Sequence, residues 1–304
     1  MDEFTAEETL SIEIGSEYVT KEPPYMVRSD FMKLLGPKKD VVRRIVIGKG
    51  IEGIGRSSFR GFNGLADIVI PEGVNEIGES AFMECKGLAN IAIPEGVTII
   101  GDSAFEDCVG LLSVTIPTTV VEIGDMAFDG CVGLTSVIIP DGVRIINLML
   151  FCDCSGLTSV VIPEGVTEIG SYAFAGCVSL TRVNIPASVR IIKEAAFEDC
   201  PSLTSIVIPE GVEIIGQCAF KDCKGLTSVV IPGSVKEIHD AAFLACTGLA
   251  DVTILPGVMV LGRWAFHDCA VLASARVPDG MLLGEDVFPQ ECDLTVYMEE
   301  SQEK

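Results

Sequence analysis

The sequence predicts an α/β repeat solenoid of eleven 23-residue coils, each stacked on the one before. Three observations predict it. The segment Gly156–Cys177, GLTSVVIPEGVTEIGSYAFAGC, recurs at 23-residue intervals over most of the 304-residue chain. Each copy contains a short run of Thr, Val and Ile in which apolar positions alternate, the period of a half-buried strand. Each copy closes on Ala-Phe-x-x-Cys, apolar at i, i+1 and i+4, a spacing that suits one helical turn, α or 3₁₀. Fixed periods of this length mark arrays in which no unit buries its apolar face alone.

Residues 1–40 lie outside the period and are expected to form an N-terminal cap. Leu10–Ile14 alternates as a strand, Glu22-Pro23-Pro24 breaks the chain, and Ser29-Asp30 and Gly36-Pro37 bracket a short helix over Phe31–Leu35. The repeat region spans 41–292, with units starting at 41, 64, 87, 110, 133, 156, 179, 202, 225, 248 and 271. The end units are atypical, as a capped array requires. In the first, Gly48 replaces the usual Pro and Phe62 the usual Cys; in the tenth, Leu255 replaces Pro; the eleventh loses one residue before Phe288. Residues 293–304 read as a closing strand over Leu294–Tyr297 and an acidic tail.

Within one unit, Leu157, Val160 and Ile162 point inward and Thr158, Ser159 and Val161 outward. Pro163 ends the strand because it cannot donate to a ladder. Glu164-Gly165 turns the chain, Val166 and Ile169 return to the core, and Ala173, Phe174 and Cys177 close the coil. The strand has no partner within its own unit, so stacking must supply one.

The pattern L-x-x-V/I-x-I-P-x-G-V-x-x-I-G-x-x-A-F-x-x-C resembles the BspA-like (Treponema pallidum-type) leucine-rich repeat. The resemblance covers residues 41–292. It implies a right-handed horseshoe with a parallel β-sheet on the concave side and short helical turns on the convex side. It also implies a binding scaffold, since family members include cell-surface adhesins.

Charge and composition exclude several classes. A net charge of −23 repels a phosphate backbone, so no nucleic-acid partner is expected. No apolar run reaches the roughly 18 residues of a membrane span, so no membrane insertion is expected. The start, MDEFTAEETL, lacks the basic and apolar regions of a signal peptide. This predicts a cytoplasmic protein, or a surface or secreted one if a leader has been removed. Like charges stacked on successive coils repel, which predicts a monomer.

Nine of the twelve cysteines, Cys85 through Cys269, fall at the 23-residue interval. One thiol per coil does not supply the paired ligands of a metal site; a small buried Cys serves as a compact hydrophobe, and a free-thiol core fits a reducing compartment. Cys152, Cys218 and Cys292 are extra, and Cys152-Asp153-Cys154 gathers the most sulfur. Gly48-Lys49-Gly50-Ile51-Glu52-Gly53 matches G-x-G-x-x-G but falls on the turn of the first unit, not between a strand and a helix. His239 and His267 have no supporting constellation, and no nucleophile–base motif occurs. No enzyme activity, cofactor or metal site is therefore expected.

The outward columns of the inner sheet are the candidate site. Val69, Ala92, Thr115, Ile138, Val161, Asn184, Val207, Val230 and Thr253 form one column, flanked by Thr and Ser. Arg182 and Arg276 interrupt this neutral wall, and Arg43 and Arg44 stand at its entrance. The acids lie elsewhere: Glu72, Glu95, Asp141, Glu164 and Glu210 follow the strand, and Glu106-Asp107, Asp129, Glu198-Asp199, Asp222 and Asp268 line the turn side. The expected function is a non-enzymatic scaffold that binds a protein or peptide through Ile138, Val161, Arg182, Asn184, Val207, Val230 and Arg276. A surface adhesin or host-factor binder and a structural spacer are the alternatives.

Overall fold

The computed structural model describes Leu10–Ile14, Tyr25–Met26 and residues 39–297. The helix expected over Phe31–Leu35 and the acidic tail lie outside the described residues. The chain forms two compact units, Met1–Gly142 and Val143–Lys304.

In unit 1 a first sheet column holds β1 (Leu10–Ile14), β3 (Val42–Ile47), β5 (Asp67–Val69), β7 (Asn90–Ala92), β9 (Ser113–Thr115) and β11 (Ser136–Ile138). β1 pairs with β3, β3 with β5 and β7 with β9, all in parallel. A second column holds the two-residue strands β2 (Tyr25–Met26), β4 (Gly53–Ile54), β6 (Glu76–Ile77), β8 (Ile99–Ile100) and β10 (Glu122–Ile123), paired without a break.

Unit 2 repeats the arrangement. Its first column holds β13 (Ser159–Val161), β15 (Arg182–Asn184), β18 (Ser228–Ile231), β20 (Asp251–Ile254), β22 (Ser274–Pro278) and β24 (Asp293–Tyr297). Its second holds β12 (Ile145–Ile146), β14 (Glu168–Ile169), β16 (Ile191–Ile192), β17 (Ile214–Ile215), β19 (Glu237–Ile238), β21 (Val260–Leu261) and β23 (Leu282–Leu283). The second sheet is the continuous one. The first is interrupted at Leu203–Ile208, which forms no regular strand although Leu203, Ile206 and Ile208 keep their inward positions.

The expected alternation holds in each coil. Leu157, Val160 and Ile162 are buried, Thr158 and Val161 exposed, and Val166, Ile169, Ala173, Phe174 and Cys177 have no accessible surface. The phenylalanines stack face to face along each unit. Phe59, Phe82, Phe105 and Phe128 lie 5.2–5.3 Å apart in unit 1. Phe151 through Phe266 lie 5.0–5.6 Å apart in unit 2, and Phe288 closes the column 5.4 Å from Phe266. In the first unit Phe62 fills the cysteine slot edge-on to Phe59 at 5.9 Å.

The helical turn expected around Ala-Phe-x-x-Cys does not form, and no helix occurs among the described residues. The hydrogen bonds show why. Ala81, Met83 and Cys85 donate their N–H groups three residues back, to Gly78, Ser80 and Phe82, at 3.0–3.2 Å. The residues between them, Ser80, Phe82 and Glu84, donate instead to Asp102, Ala104 and Glu106 of the next coil, at 2.7–2.8 Å. Bonds made along a helix would run within the coil, whereas here alternate N–H groups cross to the neighbour and hold the two coils together. Left-handed backbone at Ser80 (φ 55°) and Glu84 (φ 61°) turns the alternate donors outward. The same pair recurs as Ser103/Asp107, Ala195/Asp199 and Cys218/Asp222.

Candidate functional site

Short strands with alternating burial place one outward side chain every second residue, and parallel pairing aligns those side chains along each unit. In unit 2, β13 and β15 bring Ser159 beside Arg182 and Val161 beside Asn184. Further along, Val230, Thr253, Arg276 and Thr295 are successive partners on β18, β20, β22 and β24. Val207 lies in the interrupted stretch yet is the most open of these side chains, at 72% accessible. Val161 and Val230 are more than half exposed, and Arg182, Asn184 and Arg276 are exposed. In unit 1, Ile138 on β11 is 70% accessible, while its neighbours Val137 and Ile139 are buried.

The structure thus gathers Val161, Arg182 and Asn184 into one local group and Val230 and Arg276 into another within the same unit. The guanidinium of Arg276 stands 5.8 Å over the ring of Tyr297, whose hydroxyl donates to the carbonyl of Ile254. The anchored ring fixes the direction of the cation. The outward face also carries acidic charges that the column pattern concealed, Asp67 on β5, Asp251 on β20 and Asp293 on β24. Asp251 occupies a serine column between Ser228 and Ser274 and is exposed.

The arginines at the start of unit 1 are engaged within the fold. Arg44 pairs with Asp67 at 3.0 Å, and Arg43 donates to the carbonyl of Gly64 at 2.9 Å. Acids are also paired across neighbouring coils, among them Glu198, which was expected only to repel. Arg56 meets Glu79 at 2.8 Å, Lys193 meets Glu168 at 2.6 Å and Lys221 meets Glu198 at 2.7 Å. The hydrogen bond and charge of Glu198 raise the pKa of Lys221. Arg263 grips Asp240 through Nε and Nη2 and lies 5.5 Å over the half-exposed ring of Trp264.

All twelve cysteines are free thiols. The ladder thiols are buried, and Cys85, Cys108, Cys131, Cys177, Cys200, Cys223, Cys246 and Cys269 each donate to the carbonyl of a phenylalanine in the preceding coil. Examples are Cys85 to Phe59, Cys108 to Phe82 and Cys200 to Phe174, at 3.1–3.2 Å. Burial raises the pKa of Cys108, Cys177, Cys223 and Cys246 well above the ordinary thiol value and pushes Cys269 up to about 12. Such thiols stay protonated, which suits a packing and donor role. The more open Cys218 and Cys292 are raised as well, by burial first and then by nearby carboxylates.

Among the described residues, no helix is long and apolar enough to cross a membrane. The chain matches the family model for the BspA type leucine rich repeat region in six copies, over residues 38–158, 75–204 and 146–273. It is similar to a leucine-rich repeat protein from Bacteroides ovatus, at 23% identity and a TM-score of 0.50, over 95% of this chain and 92% of that one. It is also similar to a leucine rich cell surface protein from Faecalibacterium prausnitzii, at 25% identity and a TM-score of 0.51, over 87% of this chain and 78% of that one. The T. pallidum leucine rich repeat protein is 30% identical, with a TM-score of 0.48, over 56% of this chain and 78% of that one. No curated protein matches.

Proposed function

Because this chain belongs to the BspA-type leucine-rich repeat family, we propose that it is a non-enzymatic scaffold whose outward first-sheet face binds a protein or peptide. The observation that carries this reading is the contrast between neighbouring residues within each unit. Ile138 and Val207 are 70% and 72% accessible, whereas the residues flanking them in sequence are buried. Exposed apolar side chains in register, bordered by Thr and Ser, offer a partner area to bury with little charge to desolvate. Arg182, Asn184, Asp251 and Arg276 are the individual positions in an otherwise repetitive wall, and they set specificity. The protein acts as a monomer, without cofactor or metal.

The test is affinity capture on the intact chain from native lysate, with bound proteins quantified against the Val161→Glu and Val207→Glu variants. The reading requires the same protein to be enriched by the parent chain and lost from both variants. Equal recovery on all three would place binding elsewhere. A second reading, a surface protein of the adhesin type, is favoured by the likeness to the F. prausnitzii cell surface protein. Protease shaving of intact cells, which removes a surface protein and spares an internal one, distinguishes the two.

A further inference from the structure

The last coil of unit 2 differs from those beneath it. β24 is an edge strand, paired with β22 over Asp293–Tyr297 and, among the described residues, with no strand on its other side. Residues in core columns stand open here. Leu283 continues the column of Ile238 and Leu261, and Leu294 and Val296 continue those of Ala275 and Val277. The preceding members are at most 3% accessible, whereas Leu283, Leu294 and Val296 reach 49%, 38% and 57%.

Backbone donors are also left over. Trp264 and Phe266 donate to Glu285 and Val287 of the last coil. Asp286 and Phe288 hold the matching positions one coil on, by the left-handed φ of Asp286 and the ring stack of Phe288. Their N–H groups have no acceptor among the described residues.

The last coil itself is acidic, although Arg276 of β22 lies over Tyr297 of β24. Residues 278–297 contain Asp279, Glu285, Asp286, Glu291 and Asp293 and no lysine or arginine. All five carboxylates are exposed, and none forms an ion pair among the described residues.

We propose that this end of unit 2 docks an extended segment of a partner protein in which β-branched residues alternate with lysine or arginine, added as a further strand along β24. An edge strand bonds any extended main chain through its free N–H and C=O groups, and alternate side chains then fall on opposite faces. The apolar set covers Leu294 and Val296. The basic set lies on the face that carries Asp293, within reach of the acidic rim. Charge selects this occupant over a second copy, which would bring the same five carboxylates to the contact. The site meets the outward face at Arg276 but rests on the β24 edge and on Leu283, Leu294 and Val296, none of which carries the reading above, so either can fail alone.

The test uses the intact chain and a short fluorescein-labelled peptide of alternating valine and lysine, followed by anisotropy. Saturable binding is expected, weakening as salt rises. Replacing the peptide lysines with glutamate should abolish it. The Leu294→Ser/Val296→Ser double variant, and Leu283→Ser separately, should each weaken it about tenfold or more. All three side chains are exposed, so folding survives, as circular dichroism would verify. Val207→Ser, on the outward face, should leave it unchanged. Equal binding of a scrambled peptide of the same composition overturns the proposal, as does indifference to the Leu294/Val296 pair or the absence of saturable binding. A dimer of the chain alone that dissociates in the double variant would make a second copy the occupant and also overturn it.

Discussion

The thiol of Cys108 donates to the carbonyl oxygen of Phe82 in the preceding coil at 3.1 Å, and that oxygen also accepts the N–H of Cys85. One acceptor thus serves two coils, and the arrangement holds only while the sulfur keeps its proton. The stability of the array is therefore tied to pH. The native pKa values of Cys108, Cys177, Cys223, Cys246 and Cys269 lie above the unfolded value of about 8.5, so the native state binds more protons once pH exceeds that value. Stability from the thiols is complete below about pH 8.5 and is lost as pH rises toward the native values, about 12 for Cys269. Each of Cys108, Cys177, Cys223, Cys246 and Cys269 removes about 1.4 kcal/mol per pH unit across that window. Cooperative unfolding is expected on the alkaline side, followed by far-UV circular dichroism. A Cys223→Ala/Cys246→Ala variant should show a shallower pH slope. A flat profile from pH 8 to about 11 would refute the linkage.

The same burial governs reactivity. A thiol reagent at neutral pH should leave the ladder cysteines of the folded chain unlabelled and react with nearly all twelve after denaturation without reductant. A count near zero in the denatured chain would mean disulfides and would remove the argument for a reducing compartment.

Phe197 has no accessible surface and stacks on Phe174 and Phe220 at 5.2 and 5.3 Å. Phe197→Ala should destabilise the protein by about 3–5 kcal/mol. In an array held by nearest neighbours the damage should spread to adjoining coils first. Hydrogen exchange should rise around residues 174–220 before it rises in unit 1.

A smaller device ties the turns together. Ser188 Oγ accepts the N–H of Gly165 at 3.0 Å and donates to the carbonyl of Val166 at 2.7 Å. Thr119 repeats both bonds, to Gly96 and Val97. Ser234 accepts the N–H of Gly211 at 3.1 Å. Ser188→Ala should lower stability by about 1 kcal/mol in urea unfolding, and Ser188→Thr should restore most of it.

Asp199 sits at φ 52° and donates its N–H to Lys221 of the next coil at 2.9 Å. Asp199→Val, β-branched in a left-handed position, should cost about 1–2 kcal/mol, and Asp199→Gly should be neutral or stabilising. Were the residue there for its charge, Asp199→Asn would weaken partner capture; on the conformational account it changes nothing.

Asp199 also shows where the sequence misled. The column Asp107, Asp199, Asp222 and Asp268 reads as part of a line of charge. In the structure it marks left-handed backbone, which Asp tolerates better than most residues, and Gly130 and Gly176 take the same place in two coils. The earlier left-handed position gives no warning at all. Met126, Tyr172, Ala195 and Trp264 occupy it, and none favours that conformation. The helical turn was expected because i, i+1, i+4 spacing reports which side chains face inward, not where N–H groups donate. The second sheet escaped notice because two-residue strands carry too little alternation to read. The core was legible to the residue, since period and burial have one cause. The outward face was legible as a column, although Asp251 and the Arg276–Tyr297 contact needed the register to be seen.

The alternating turn bonds have a mechanical consequence. Each coil of a unit grips its neighbours through short bonds spread around its perimeter, so a pull on one end loads only the outermost coil. That coil can peel away while those behind it stay seated. Each release frees a 23-residue segment, roughly 75–80 Å of contour. A stretched chain would therefore lengthen in equal steps, and its extension would count the coils.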